Sequence, residues 1–269
     1  MAEAFTSSLP PSRSIDDIFA QGYTLRTFEY LREGWRAFVE NPVGFLGFTL
    51  TLTFASQAVP LLAPFVGQLL SLAIQMLMLA GIAMVMWRQL RNQPSTWGDF
   101  FPDWQTTAQV FLCTVVGLLF IAVGFLLLVI PGVYLMVAYT FSYLLIVDRR
   151  LGVWQALEGS RRVVNKHWWG VLGLALMMGI VIVGAGTVGA VGLGLPIGYG
   201  LSGFFSEMNL DELPIVLPET DITINRGMFM GMMSGLMIGG AVGVAVAGCM
   251  LGAAYADIFG LPSLPQSLP

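Results

Sequence analysis

The stretch RGMFMGMMSGLMIGGAVGVAVAGCMLGAAYAD, residues 226–257, carries no charged side chain between Arg226 and Asp257. At about 1.5 Å per residue, about 20 apolar residues cross a bilayer core of about 30 Å. This stretch is therefore a transmembrane helix with length to spare. Gly227, Gly231, Gly235, Gly239 and Gly243 recur at every fourth position, and Ala247 continues the series. Each glycine costs a helix about 1 kcal/mol against alanine in water, so helix propensity does not explain them. Small residues at this spacing let another backbone approach closely, held by dispersion and Cα–H···O contacts. The partner stays open at this point. It can be another span of the same chain, with the glycine-rich fifth stretch (Gly179, Gly184, Gly186, Gly189, Gly192, Gly194, Gly198 and Gly200) the nearest candidate. It can also be a second copy, another subunit or the wall of a pore.

The rest of the chain has the same character. Its 269 residues are 56% hydrophobic and 10% charged, with mean hydropathy +0.78. A soluble domain carries about 25% charged residues. The composition fits an all-α, polytopic membrane helix bundle of six spans plus two interfacial amphipathic helices. The spans fall at about 43–60, 67–87, 107–129, 132–147, 168–192 and 227–255, inside a membrane domain of 23–258. Residues 1–22 read as a flexible Ser/Pro-rich tail, 201–226 as an acidic loop, and 259–269 as a Pro-rich tail. Ile130-Pro131-Gly132 is a break signal before the fourth span, which at 16 residues is short for a bilayer.

Two segments read as interfacial helices. In 23–41, Phe28, Leu31, Trp35 and Phe38 recur at helical spacing. In 151–167, Val153, Trp154, Leu157 and Val164 share a face. The two echo each other: Glu33-Gly34-Trp-Arg36 resembles Glu158-Gly159-Ser-Arg161, and Gly44 and Gly47 answer Gly170 and Gly173 after a one-residue slip. Each copy leads into a span running the same way, which makes a parallel repeat.

Charge sets the expected orientation. Eleven of the twelve basic residues flank one side: Arg13, Arg26, Arg32, Arg36, Arg88, Arg91, Arg149, Arg150, Arg161, Arg162 and Lys166. The seven tryptophans lie in or beside the same segments. Basic loops face the cytoplasm and tryptophan marks the interface. Both termini are expected inside, in a bacterial inner membrane, with the acidic loop outside. Its Asp211, Glu212, Glu219 and Asp221 read as a strip for docking a partner. Arg149, Arg150, Arg161, Arg162 and Lys166, with Trp168 and Trp169, read as a contact for anionic lipid headgroups or as ordinary topology signals.

No catalytic or metal constellation is legible. Cys113 and Cys249 lie in apolar runs and match no disulfide or metal spacing. His167 is the only histidine, and Asp257 reads as a solvated helix-end carboxylate. Met228, Met230, Met232, Met233 and Met237 read as flexible packing rather than a copper(I) site. An enzyme needs convergent polar groups, and proton-coupled carriers need intramembrane ionisable residues. The expectation is a non-enzymatic protein without cofactor or nucleic-acid partner. It would assemble through the glycine-ridged last helix with itself or as an accessory subunit. The alternative is a transporter, channel or lipid-handling protein with a path between the fifth and sixth spans.

Ile130-Pro131-Gly132-Val-Tyr134, Leu144–Asp148, Ala156-Leu157-Glu158-Gly159-Ser160-Arg161-Arg162 and Trp168-Trp169-Gly170 together resemble a bacterial group. These are the inner-membrane proteins of the YciC type, related to the membrane domain preceding some glycerophosphodiester phosphodiesterases. The resemblance covers about residues 25–200 and implies a six-helix bundle with no established activity, so it carries over no site residues. The acidic 201–226 loop and the long glycine-ridged last span depart from it.

Overall fold

The computed structural model describes residues 13–62, 64–207, 215–216, 223–224 and 226–260. The elements are α1 (Ile15–Gln21), α2 (Thr27–Glu40), α3 (Pro42–Leu62), α4 (Pro64–Leu90), a 3-10 turn (Trp97–Phe100), α5 (Trp104–Leu127), α6 (Val129–Ala138), α7 (Ser142–Arg149), α8 (Val153–Lys166) and α9 (Trp168–Gly189). A π-helical turn (Ala190–Gly194), α10 (Leu195–Glu207), the strands β1 (Ile215–Val216) and β2 (Thr223–Ile224), and α11 (Arg226–Phe259) complete the chain. Six segments are long and apolar enough to cross a membrane: 42–60, 66–90, 97–127, 129–149, 168–203 and 227–259. The fold is the all-α polytopic bundle that the composition requires.

Several boundaries differ from the sequence reading. The stretch expected to be a flexible tail carries α1, whose Ser14 and Asp17 form a reciprocal N-terminal cap. The fourth span is 21 residues long, because Pro131 lies inside the first turn of α6 rather than before it, and it is two helices, broken at residues 139–141. The fifth span runs on to Gly203, well beyond residue 192, and narrows the expected loop. Within that loop Ile215 pairs with Ile224 and Val216 with Thr223, antiparallel. Asp211, Glu212, Glu219 and Asp221 lie outside the described residues.

The chain divides into two compact units, 1–178 with 245–269, and 179–244. In the first, α3 and α4 form one antiparallel hairpin, and α5 with α6 another. The 3-10 turn tucks against the first hairpin. The Phe100 ring stacks on Phe48 at 4.5 Å and meets Phe45 edge-on at 5.6 Å. Gly81 lies against the Phe100 carbonyl oxygen and gives the turn room.

The repeat seen in the sequence has a structural counterpart. Helices α2 and α8 are each 14 residues long and end in a single non-helical residue, Asn41 (φ −142°, ψ 63°) and His167 (φ −134°, ψ 44°). Each of these donates its amide to the carbonyl three residues back, on Phe38 and Val164. The next residue starts a span. Gly34 and Gly159 are both buried, because a Cβ at Gly34 would meet the Met250 backbone at 2.9 Å and one at Gly159 would meet Ile15 at 2.9 Å. The protein-facing strip of α2 is Tyr30, Gly34, Ala37 and Phe38, while Phe28, Trp35 and Val39 face outward. The expected apolar face is thus divided between protein and surroundings. In α8, Leu157 and Val164 are buried with Ala156, Ser160 and Val163, and Trp154 is exposed.

In the second unit the glycine ridge finds its partner within the chain. A Cβ at Gly235 would lie 2.6 Å from the Gly194 nitrogen, and one at Gly243 would lie 2.7 Å from the Ile182 Cα. Gly227 faces Ser202, Gly231 faces Gly198, and Gly239 faces Ala185 and Gly189, all backbone to backbone. The π turn supplies the register. Gly189, Gly194 and Gly198 are spaced by five and then four residues. In an unbroken α-helix a five-residue step would turn Gly194 about 140° from Gly189. The wider turn absorbs the extra residue and keeps both on the contact face. Ala247, the last of the series, is buried in the first unit.

This arrangement separates two kinds of glycine. Gly235→Ala is expected to destabilise the protein by about 1–3 kcal/mol, since a methyl group must separate two backbones. Gly184 has nothing within 4 Å of its Cβ position, so Gly184→Ala is expected to be neutral or to stabilise by up to about 1 kcal/mol. Thermal unfolding of both variants in one detergent, read by loss of monodisperse material, measures the contrast.

Candidate functional site

The polar side chains of the first unit gather where the basic helix ends meet. Asp257, in the last turn of α11, accepts from Arg26 at 2.6 Å and from the Tyr30 hydroxyl at 2.6 Å. Its side chain is only 10% exposed. Two residues earlier on the same helix, the Tyr255 hydroxyl donates to Asp148 at 2.6 Å. The Tyr255 ring stacks on Phe259 at 4.5 Å and lies 5.1 Å from Trp87. Trp87 is fully buried and donates Nε1 to the Gly252 carbonyl at 2.9 Å. Gly252 is small because Ala83 and Met86 press on it from α4, a Cβ there lying 3.2 and 3.1 Å away. The last turns of α11 are thereby tied to α2, α4 and α7.

Arg149 closes the cluster. Its guanidinium donates to the carbonyls of Arg13 and Phe259 and sits 5.5 Å from the Phe259 ring centroid. The Arg13 amide donates to the Phe259 carbonyl at 3.0 Å. One cation therefore holds the start of α1 and the end of α11 together. Arg88 pairs with Asp99 at 2.9 Å, and Arg150 with Asp103 at 3.3 Å, which fixes the open ends of both hairpins.

A second polar feature serves the backbone. The fourth span breaks at residues 139–141 between α6 and α7. Ser160 of α8, fully buried, donates Oγ to the Ala138 carbonyl at 2.6 Å and accepts from the Phe141 amide at 3.2 Å. A break inside an apolar segment frees backbone groups that lipid does not satisfy, and a serine hydroxyl is both donor and acceptor. The neighbouring Gly159 admits Ile15 of α1.

The expected headgroup-contact residues divide under this geometry. Arg149 points inward and belongs to the buried cluster. Arg161 and Arg162 share Glu158, each at 2.8–2.9 Å. The Arg161 hydrogen bond, then that of Arg162, holds the Glu158 carboxyl down from the ordinary 4.5 to about 2. Arg150 is 56% exposed and Trp169 79%, both on the outside of the unit. Trp168 is half-buried, stacks on Tyr134 and donates to the Tyr134 carbonyl at 3.4 Å. Lys166 ends α8 at the surface. His167 meets Tyr23 edge-on at 4.9 Å, and the Tyr23 hydroxyl donates to the Val163 carbonyl at 3.1 Å.

Asp257, read from the sequence as solvated, is instead locked by an arginine and a tyrosine hydroxyl. Its hydrogen-bond partner Tyr30 lies over 200 positions away in the chain, and no local pattern links them. Cys113 and Cys249 are buried free thiols. Among the described residues no group of three His, Cys, Asp or Glu side chains could hold a metal. The cluster can orient helices and hold charge out of lipid.

No protein-family model, curated protein or solved structure matches the chain.

Removing one member of a part-buried ion pair strands the other. Asp257→Ala is expected to cost on the order of 2–3 kcal/mol, the low end for a buried pair because Arg26 is a third exposed. Arg26→Met combined with Asp257→Leu is expected to recover much of that loss in the same thermal assay. Glu158 gives a pH dependence. Its folded pKa lies below the unfolded one, so its contribution is complete above pH 4.5 and falls as pH drops from there toward 2. Between pH 5 and pH 3 the Glu158→Gln variant is expected to lose less thermal stability than the parent, with the two curves converging at the acid end.

Proposed function

We propose that this chain is a non-enzymatic structural component of a bacterial inner-membrane assembly, acting as a homo-oligomer or an accessory subunit. One observation carries the reading: the fifth and sixth spans are locked backbone to backbone by glycine over residues 182–202 and 227–243. That contact fills the place where the alternative reading needs a transport path, so the transporter is not favoured there. It also fills the ridge expected to serve as a seam between chains. Assembly in this reading uses the outward side of the same helices, where Ile180, Val183, Val188, Val191 and Leu236 are exposed. The acidic residues Asp211, Glu212, Glu219 and Asp221, read from sequence alone, add a docking strip on the extracytoplasmic side. Both termini lie in the cytoplasm in this reading. Arg13, Arg26, Arg88, Arg149 and Arg150 support that orientation, because they engage groups at the helix ends of one unit.

Native mass spectrometry from lipid nanodiscs tests the proposal. The expected result is a stoichiometric complex with itself or with one further polypeptide. Replacing the four loop acids by their amides is expected to weaken that complex at least severalfold without lowering thermal stability. A lone monomer at every protein-to-lipid ratio would sink the proposal.

A further inference from the structure

We infer that the tip of the α5–α6 hairpin, Leu126–Ile130, is seated among lipid acyl chains at the glycerol level of the leaflet farthest from the buried polar cluster, rather than in water. Leu126, Leu127, Leu128, Val129 and Ile130 are 66–86% exposed. From Val115 to Val133 the sequence has no polar side chain at all, so the turn itself lacks any group that would draw it into solvent. The exposed tip continues the outward apolar surface of the hairpin's own helices, Leu112, Leu119 and Val123 on α5 and Met136 on α6. Such a surface is covered by lipid in a spanning segment. Chain length is compatible: from Val129 to Arg149 the return path has 21 residues, about 31 Å as continuous helix, close to a core of about 30 Å.

The tip is also built with few needy backbone groups. Leu128 alone separates the two helices, and its amide donates to the Gly124 carbonyl at 3.0 Å. The helices touch through Gly124 and Gly132, a Cβ at Gly124 lying 3.0 Å from the Gly132 Cα. Pro131 has no N–H to satisfy in the first turn of α6. No side chain caps that turn, which leaves the Val129 and Ile130 amides wanting acceptors. Lipid ester carbonyls supply acceptors at the glycerol level while the side chains stay in the acyl region.

A single Leu128→Cys variant tests this in phosphatidylcholine–phosphatidylglycerol vesicles opened to reagent on both faces. The parent, with both thiols buried, is the blank, and Gln93→Cys on an exposed turn is the water-facing control. A thiol in hydrocarbon is held as the unreactive neutral form, so labelling by a charged maleimide is expected to be at least roughly tenfold slower than at Gln93→Cys. A small neutral fluorophore placed at the same Cys is expected to be quenched by lipids brominated on their acyl chains. Labelling as fast as the control places the tip in water and overturns the inference. Slow labelling without lipid quenching means that protein covers the tip, and overturns it equally.

Discussion

Hydrocarbon offers a backbone amide or carbonyl no water to fall back on, and each irregular place in these spans answers that constraint with a specific device. Where the fourth span breaks at 139–141, Ser160 reaches in from α8 to take one donor and give one proton. Where the fifth span needs an extra residue to keep Gly194 in register, the helix widens into a π turn instead of unwinding. Where α5 reverses into α6, Leu128 bonds back to Gly124 and Pro131 removes a donor. The break in the fourth span explains why α8 must lie against the bundle. An interfacial helix that merely floated on the surface would not deliver a fully buried serine.

The same constraint, applied to charge, gathers the polar side chains of the first unit. Asp148 and Asp257 lie at the ends of the fourth and sixth spans, and each is met by a tyrosine hydroxyl and an arginine. The partners come from α2, α7 and α11, so the cluster is also what fixes those helices relative to one another. Arg149 extends the cluster to the start of α1. Helices α2 and α8, alike in length and end geometry, serve different ends: α2 presents Tyr30 to Asp257, and α8 presents Ser160 to a broken backbone. Equal length and equal end geometry therefore set where a helix lies, while single side chains decide what it does.

The six spans, the two interfacial helices and the importance of the glycine ridge were legible in the sequence, because each is periodic or compositional. The partner of the ridge was nearly legible: Gly189, Gly194 and Gly198 were visible, but the five-residue step between the first two breaks an α-helical pattern and hides the match. The polar cluster was not legible. Tyr30 and Asp257 meet across most of the chain, and a carboxylate at a helix end looks the same in sequence whether it is solvated or locked. Arg149 was misleading for a related reason. It sits in a Asp-Arg-Arg run at the end of a span, where arginine normally faces headgroups, yet its carbonyl acceptors on Arg13 and Phe259 come from the two ends of the chain.

A glycine ridge that is filled within the chain still constrains what lies outside it. Five glycines on α11 and their counterparts on α9 and α10 are unfavourable for helix formation, and only close contact repays them. That contact uses one face of each helix. The opposite faces of α9, the π turn and α10 keep Gly184, Gly192 and Gly200 with nothing within 4 Å of their Cβ positions, among exposed Val183, Val188, Val191 and Tyr199. Large apolar side chains alternating with bare glycine make a corrugated surface. The rigid glycine seam holds that corrugation at fixed spacing. In the assembly proposed above, a ridge filled from within leaves these outer faces of the fifth span as the surface through which a second helix would dock.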